Sequence, residues 1–184
     1  MDESSEQTQR VFLALWPPAE VQDHAHAVAR RFVRRGRLIP ARNLHVTLAF
    51  LGERGAEDLC RLAAAVDGVR GAPCTLRLDR LGCWRRRGIS WLAPEQVPGA
   101  LSALHASLFG ALTGAGFRLA RRPFVPHMTV ARHSVADRDP RFEPVDWQVA
   151  EMQLVRSDLQ RLGAVYTRLR SWTLAGLEPA GSAR

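Results

Sequence analysis

The chain contains no lysine, and all 26 of its strongly basic residues are arginine. Genomic base composition is the ordinary source of such usage, but the physical effect holds whatever the origin. Each cation is a planar fork suited to phosphate oxygens. Cysteine is also scarce. Cys60, Cys74 and Cys83 are odd in number, well separated and without a Cys-x-x-Cys pair, which argues against a disulfide framework or a zinc ribbon and favours a reducing cytoplasm. No apolar run approaches the roughly 18–20 residues of a membrane span, because Pro17-Pro18 end the run that begins at Val11. Residues 1–9 are polar and acidic, without the basic start and apolar centre of a secretory signal, so no membrane partner is expected. No short-period repeat of the solenoid kind is present. Acidic residues are outnumbered, and the formal net charge of +8 suits a polyanionic partner without identifying one. With 46% hydrophobic residues in 184, the chain can pack one large or two small domains.

Against these absences stand two octapeptides. His45-Val46-Thr47-Leu48-Ala49-Phe50-Leu51-Gly52 and His127-Met128-Thr129-Val130-Ala131-Arg132-His133-Ser134 both read His-x-Thr-apolar-Ala. On a strand, residues two apart project together. His45 therefore shares a face with Thr47, and His127 with Thr129, while Leu44, Val46, Leu48, Met128 and Val130 face a packed side. Two such pairs brought together give two titratable imidazoles and two hydroxyl donors. That is a site for acid–base chemistry on a small anion.

Residues 10–16 alternate as a strand, with Val11, Leu13 and Leu15 on one face and Arg10, Phe12, Ala14 and Trp16 on the other. Pro18 is placed to open a helix, in which Val21, Ala25, Val28, Ala29 and Phe32 repeat with helical spacing as far as Val33. Arg34-Arg35-Gly36-Arg37 is expected to close it, since positive charge suits the carboxyl end. His24 and His26 read as its surface residues. A second helix is expected over residues 55–71, along Leu59, Leu62, Ala63 and Val66. A third is expected from Pro98 to Leu112, along Leu101, Leu104, Leu108 and Leu112, with His105 at the edge of the stripe. Strands are expected at 74–80 and 88–93, joined by residues 81–87, whose Arg85-Arg86-Arg87 run is ordinarily a solvated loop and alternatively a phosphate-backbone contact. The prolines of Arg122-Pro123-Phe124-Val125-Pro126 stiffen the approach to His127. Residues 137–144 read as a polar loop, and closing strands are expected at 147–156 and 165–174 about a Gly163 turn.

This order suggests two similar α/β halves, each with one His-x-Thr motif. The expected fold class is α+β and bilobal, with two pseudo-twofold-related α/β halves and mainly antiparallel sheets flanking a central cleft. The expected boundaries are a flexible N-terminus at 1–9, one domain at 10–176 and a flexible tail at 177–184, in a monomer.

With six histidines and seven threonines, chance placement gives about 0.2 His-x-Thr matches. One match is ordinarily a packed histidine beside a strand threonine. Two matches with the same Ala at the fifth position, nearly half a chain apart, favour a site. A metal centre is the sharper rival, with His133 as a further imidazole. Yet neither motif contains Asp or Glu, no His-x-x-x-His occurs, and neutral hydroxyls are weak ligands for zinc-class metals. Hydroxyls are good donors to phosphate oxygen, so the expectation is a phosphate site with no metal and no cofactor.

Asn43-Leu44-His45-Val46-Thr47-Leu48-Ala49-Phe50-Leu51-Gly52 resembles the first signature of the two-histidine (2H) phosphoesterase superfamily. Residues Arg122 to Arg132 resemble the second. Arg10-Val11-Phe12-Leu13-Ala14-Leu15, with the later Ser157-Asp158-Leu159, Gly163 and Tyr166, are similar to the bacterial RNA 2′,3′-cyclic phosphodiesterase branch, formerly described as 2′-5′ RNA ligases. Trp16 departs from that branch, which often carries a smaller or acidic residue there. The resemblance spans roughly residues 10–174.

What the resemblance implies is metal-independent hydrolysis of an RNA terminal 2′,3′-cyclic phosphate to a 2′-phosphomonoester. It makes His45 the proton donor to O3′ and His127 the proton acceptor, with RNA 3′ ends or nucleoside 2′,3′-cyclic phosphates as partners. Thr47 and Thr129 would hold the non-bridging oxygens. Arg132 would add a charged donor, although strict alternation puts it on the wrong face unless the strand ends or bulges after Thr129. Phe12 and Trp16 are candidates to stack on a base, with core packing as the alternative. Other readings are a related cyclic phosphodiesterase, a 2′-5′ oligonucleotide phosphodiesterase or ligase, and a non-catalytic RNA-end binding module.

Overall fold

Alternating sequence gives β1 (Gln9–Leu15) two different faces. Val11, Leu13 and Leu15 enter the main core, while Phe12 and Ala14 lie on the other side. In this computed structural model, residues 8–120, 122–137, 140–161 and 163–175 are described. Pro18 precedes α1 (Ala19–Phe32), where Val21, Ala25, Val28 and Ala29 are buried as their spacing predicts. α2 (Ala56–Asp67) buries Leu62 and Val66, and α3 (Gly99–Gly114) buries Leu101, Leu104, Leu108 and Leu112. All three stripes join one aliphatic core with β1, each buried leucine contributing about 1.5–3 kcal/mol.

Two strands carry the motifs. β3 (Val46–Arg54) and β7 (Met128–Ala136) each begin just after a motif histidine. The remaining strands are β2 (Val33–Leu38), β4 (Cys74–Leu78), β5 (Arg80–Trp84), β6 (Ile89–Ala93), β8 (Val145–Val149), β9 (Glu151–Gln160) and β10 (Gly163–Thr173). One sheet has the order β10-β9-β1-β3-β7-β6-β5, with β2 also on β7, and a small second sheet pairs β4 with β8. The pairings among the described residues are antiparallel. The fold is α+β with a mainly antiparallel sheet, as the sequence leads one to expect. Within the large sheet, β10-β9-β1-β3 and β7-β6-β5 meet where Val46 pairs with Met128. Each half thus contributes one motif, on its innermost strand.

Both inner strands bulge at the same motif position. β1 pairs Leu13 with Ala49 and Ala14 with Thr47, passing over Leu48. β6 pairs Ser90 with Ala131 and Trp91 with Thr129, passing over Val130. An extra residue bends the strand and resets which side chains share a face. The apolar-Ala step of each motif is that extra residue and its neighbour.

Three expected boundaries are corrected. Arg34 to Arg37 do not close α1, because the backbone turns extended at Val33 and continues as β2 along β7. The exposed arginines of β2 suit an edge strand but hide its period. The strand expected at 74–80 breaks at Asp79, whose carboxylate accepts the Glu95 backbone N–H at 2.7 Å. Here the chain leaves the small sheet for the large one, so the expected 81–87 loop shrinks to a 3₁₀ turn at Arg85–Arg87 after β5. The strand expected at 147–156 breaks at Ala150 for the same reason, with β8 in the small sheet and β9 in the large. The ends expected to be flexible, 1–9 and 177–184, lie outside the described residues except for Thr8 and Gln9, and Gln9 opens β1. No helix among the described residues is long and apolar enough to cross a membrane.

Candidate active site

Leu44, Val46, Leu48, Met128 and Val130 are all buried in the aliphatic core, so the alternate residues face away from it. The antiparallel register about Val46 and Met128 sets Thr47 across from His127, and His45 across from Thr129. Four side chains from distant parts of the chain therefore gather on one face of the large sheet.

Both imidazoles are mounted in the same way. His45 Nδ1–H donates to the Asn43 carbonyl at 2.7 Å, and His127 Nδ1–H donates to the Val125 carbonyl at 2.8 Å. A carbonyl can only accept, so the hydrogen is on Nδ1 and Nε2 is left as the working nitrogen of each ring. Each mount is itself braced. Asn43 ends a 3₁₀ turn, Ala41–Asn43, and its side-chain amide donates to the Ala164 carbonyl of β10 at 3.0 Å. Ahead of His127, Pro126 is buried and Phe124 stacks on His105 at 3.8 Å and 9°. His105 also hydrogen-bonds the backbone of Leu48. The residue expected at the edge of the α3 stripe thus ties that helix to both motifs.

Around His45 the wall is aromatic. Trp16 lies parallel to its ring at 5.0 Å and 6°, Phe12 lies at 5.0 Å, and Tyr166 presents an edge at 5.3 Å. Burial pushes the His45 pKa down to about 4. The hydrogen bond to Asn43 opposes this, while the charges of His127 and Arg132 push the same way. Burial also raises the Tyr166 hydroxyl above its usual range, against the pull of Arg132 and Arg10. On the other side of the site, Trp84 presents an edge to His127 at 4.7 Å.

Arg132 reaches this face through the bulge. Val130 and Ala131 are buried in succession, so the alternation restarts and Arg132 emerges exposed on the side of Thr129. Its charge bears on both His45 and Tyr166. The kinked backbone is clasped by β2. At Gly36, with φ of 104°, a Cβ would lie 2.6 Å from the Arg132 and His133 carbonyl oxygens. Behind it, the buried Ser90 and Ser134 hydroxyls are 2.9 Å apart.

The aromatic candidates fare differently. Phe12 is only 4% exposed and packs with Ala14 and Val155. Its ring is thus packed into the wall, the alternative held for it in the sequence, rather than presented to solvent. Trp16 has one face against His45 and also lines a neighbouring cavity. The sequence reading missed Tyr166 as a site residue, as well as Trp84 and the two carbonyl mounts. Tyr166 is the chain's single tyrosine, but nothing local marks Trp84 or a backbone carbonyl. Among the described residues, no group of three or more His, Cys, Asp or Glu is gathered to hold a metal.

The family model of the 2′-5′ RNA ligase superfamily matches residues 17–161. A protein of Escherichia coli (strain K12) named RNA 2′,3′-cyclic phosphodiesterase is 36% identical, over 90% of this chain and 97% of its own length. One of the same name from Thermus thermophilus is 33% identical, over 91% of each chain. Among solved structures, E. coli LigT complexed with 3′-AMP superposes with a TM-score of 0.81 at 33% identity, covering 91% of this chain and 99% of that one.

Proposed function

This chain belongs to the 2′-5′ RNA ligase superfamily, and on that footing we propose that it is a phosphodiesterase that opens RNA terminal 2′,3′-cyclic phosphates to 2′-phosphomonoesters. The observation that carries the reading is the matched mounting of two imidazoles across one seam, each beside a threonine. Hydrolysis needs one group to take a proton from water and another, in line across phosphorus, to supply one. His127 Nε2 takes the water proton, the water oxygen attacks phosphorus, and the P–O3′ bond breaks as His45 Nε2–H protonates O3′. Each such transfer is typically worth about 10²–10⁴ in rate. Thr47 and Thr129 donate to the non-bridging oxygens, and the Arg132 guanidinium neutralises charge that builds in the transition state. In this reading the protein supplies every group the reaction needs and no metal takes part, which the chelator test below decides. The enzyme works as a cytoplasmic monomer of one domain over residues 10–176.

One observation favours a second assignment of the two histidines. With a pKa of about 4, His45 is neutral in the free protein at pH 7 and suits the base. The first assignment requires the bound phosphodiester anion to raise it. A substrate with sulfur at the bridging 3′ position decides between them, because a thiolate leaves without an acid. If His45 is the acid, the sulfur substrate restores turnover to His45→Asn and not to His127→Asn; exchanged roles reverse this. The activity itself is tested by incubating the protein with a nucleoside 2′,3′-cyclic phosphate in EDTA. The 2′-phosphate is the expected product. A 3′-phosphate, or activity abolished by the chelator, overturns the proposal.

A further inference from the structure

Several arginines of this chain are engaged by carboxylates: Arg34 by Asp137, Arg77 by Asp146, Arg156 by Asp158 and Arg170 by Asp67. Arg42 and Arg168 have no such partner among the described residues. Both line one cavity of about 490 Å³, whose walls include Trp16, Asn43, Val155 and Tyr166. None of the lining residues is acidic, and Gln153 in the wall spends its amide on Glu151 at 2.6 Å. A second cavity of about 520 Å³ is different in kind. It mixes Arg10 and Arg156 with Glu53 and Asp158, and Arg156 is already paired. Only the first combines uncompensated positive charge with an aromatic wall.

That cavity adjoins the site. Trp16 is stacked on His45, Tyr166 presents its edge to both rings, and the Asn43 carbonyl holds His45 Nδ1. Whatever fills the cavity is therefore next to the reacting phosphate. Planar guanidinium forks match a phosphodiester. Basic side chains beside an aromatic face are the recurrent means of holding single-stranded nucleic acid without reading its sequence. We propose that this cavity takes the nucleotide preceding the cyclic-phosphate end of an RNA strand, with its internal phosphodiester on Arg42 and Arg168 and its base against Trp16. This rests on the cyclic phosphodiesterase reading above, and it makes a strand end, rather than a free cyclic nucleotide, the preferred substrate.

Binding of uncleavable products tests the cavity without turnover. A dinucleotide ending in a 2′-phosphate is expected to bind about tenfold or more tightly than the mononucleoside 2′-phosphate. Its log Kd is expected to depend more steeply on log salt, by about 0.7 for the added phosphate. In the double variant Arg42→Ala/Arg168→Ala, two exposed changes, the dinucleotide advantage falls below about twofold and the extra salt slope disappears, while the mononucleotide Kd stays unchanged. Equal affinities in the wild type overturn the proposal. So does an advantage that survives the double variant, or one removed instead by Arg85→Ala/Arg86→Ala/Arg87→Ala. Failure of the parent reading is distinct: the wild type then leaves nucleoside 2′,3′-cyclic phosphates intact.

Discussion

Replacing His45 by asparagine removes one titrating group while keeping a side-chain amide able to donate to the Asn43 carbonyl. The wild-type ring has its pKa lowered from 6.5 to about 4 by burial. Above pH 6.5 it is neutral both folded and unfolded and contributes no pH dependence. As pH falls from 6.5 towards 4, the unfolded chain binds a proton that the native site refuses, so stability is lost by about 1.4 kcal/mol per pH unit. Below about pH 4 the loss is complete, at about 3 kcal/mol. Groups remote from the site are common to both proteins and cancel in the difference. Urea unfolding at half-unit steps from pH 7.5 to 4 is the assay. The stability of His45→Asn relative to wild type is expected to rise by about 3 kcal/mol as the pH is lowered. A saturating nucleoside 2′-phosphate is expected to shrink that rise, because a bound anion favours the charged ring. Parallel curves for the two proteins would refute the burial argument and, with it, the case for a neutral His45 in the free enzyme.

Two further outcomes follow from the site. Thr47→Val and Thr129→Val each remove one hydroxyl donor from a half-buried strand position, and kcat is expected to fall on the order of 10² with little change in urea midpoint; an unchanged kcat would remove the threonines from the reaction. Gly36→Ala puts a Cβ at a left-handed φ and 2.6 Å from two carbonyl oxygens of the kinked β7 strand. A stability loss of at least about 1–3 kcal/mol is expected, together with a lower kcat/KM as Arg132 is displaced, read by urea unfolding and steady-state kinetics.

What the sequence made legible was periodic or local. Val11, Leu13 and Leu15 of β1, the leucines of α3 and the small apolar stripe of α1 are buried where their spacing puts them. Their shared core decides both the faces and the element types. The His-x-Thr pairs were legible because a two-residue period fixes which side chains project together. The condition attached to Arg132, a bulge after Thr129, is met at Val130, and the resemblance to two-histidine phosphoesterases is borne out by the family match. What stayed hidden depends on partners far away in the chain. β2 is an arginine-rich edge strand whose reason for being extended is β7, about a hundred residues later. Asp79 and Ala150 mark changes of sheet inside runs that read as continuous. Tyr166 and Trp84 join the site through the fold, and a carbonyl that orients a ring leaves no trace in residue identity.

The junction at Val46 and Met128 has a mechanical consequence. Elsewhere the large sheet is laced by ladders several residues long, whereas here β3 and β7 share a single paired position. The two motif imidazoles thus face each other across a line of sparse backbone pairing among the described residues. Drawing the two imidazoles together or letting them spread strains few backbone hydrogen bonds. Each ring is hydrogen-bonded within its own half, so its tautomer does not depend on any contact across the junction.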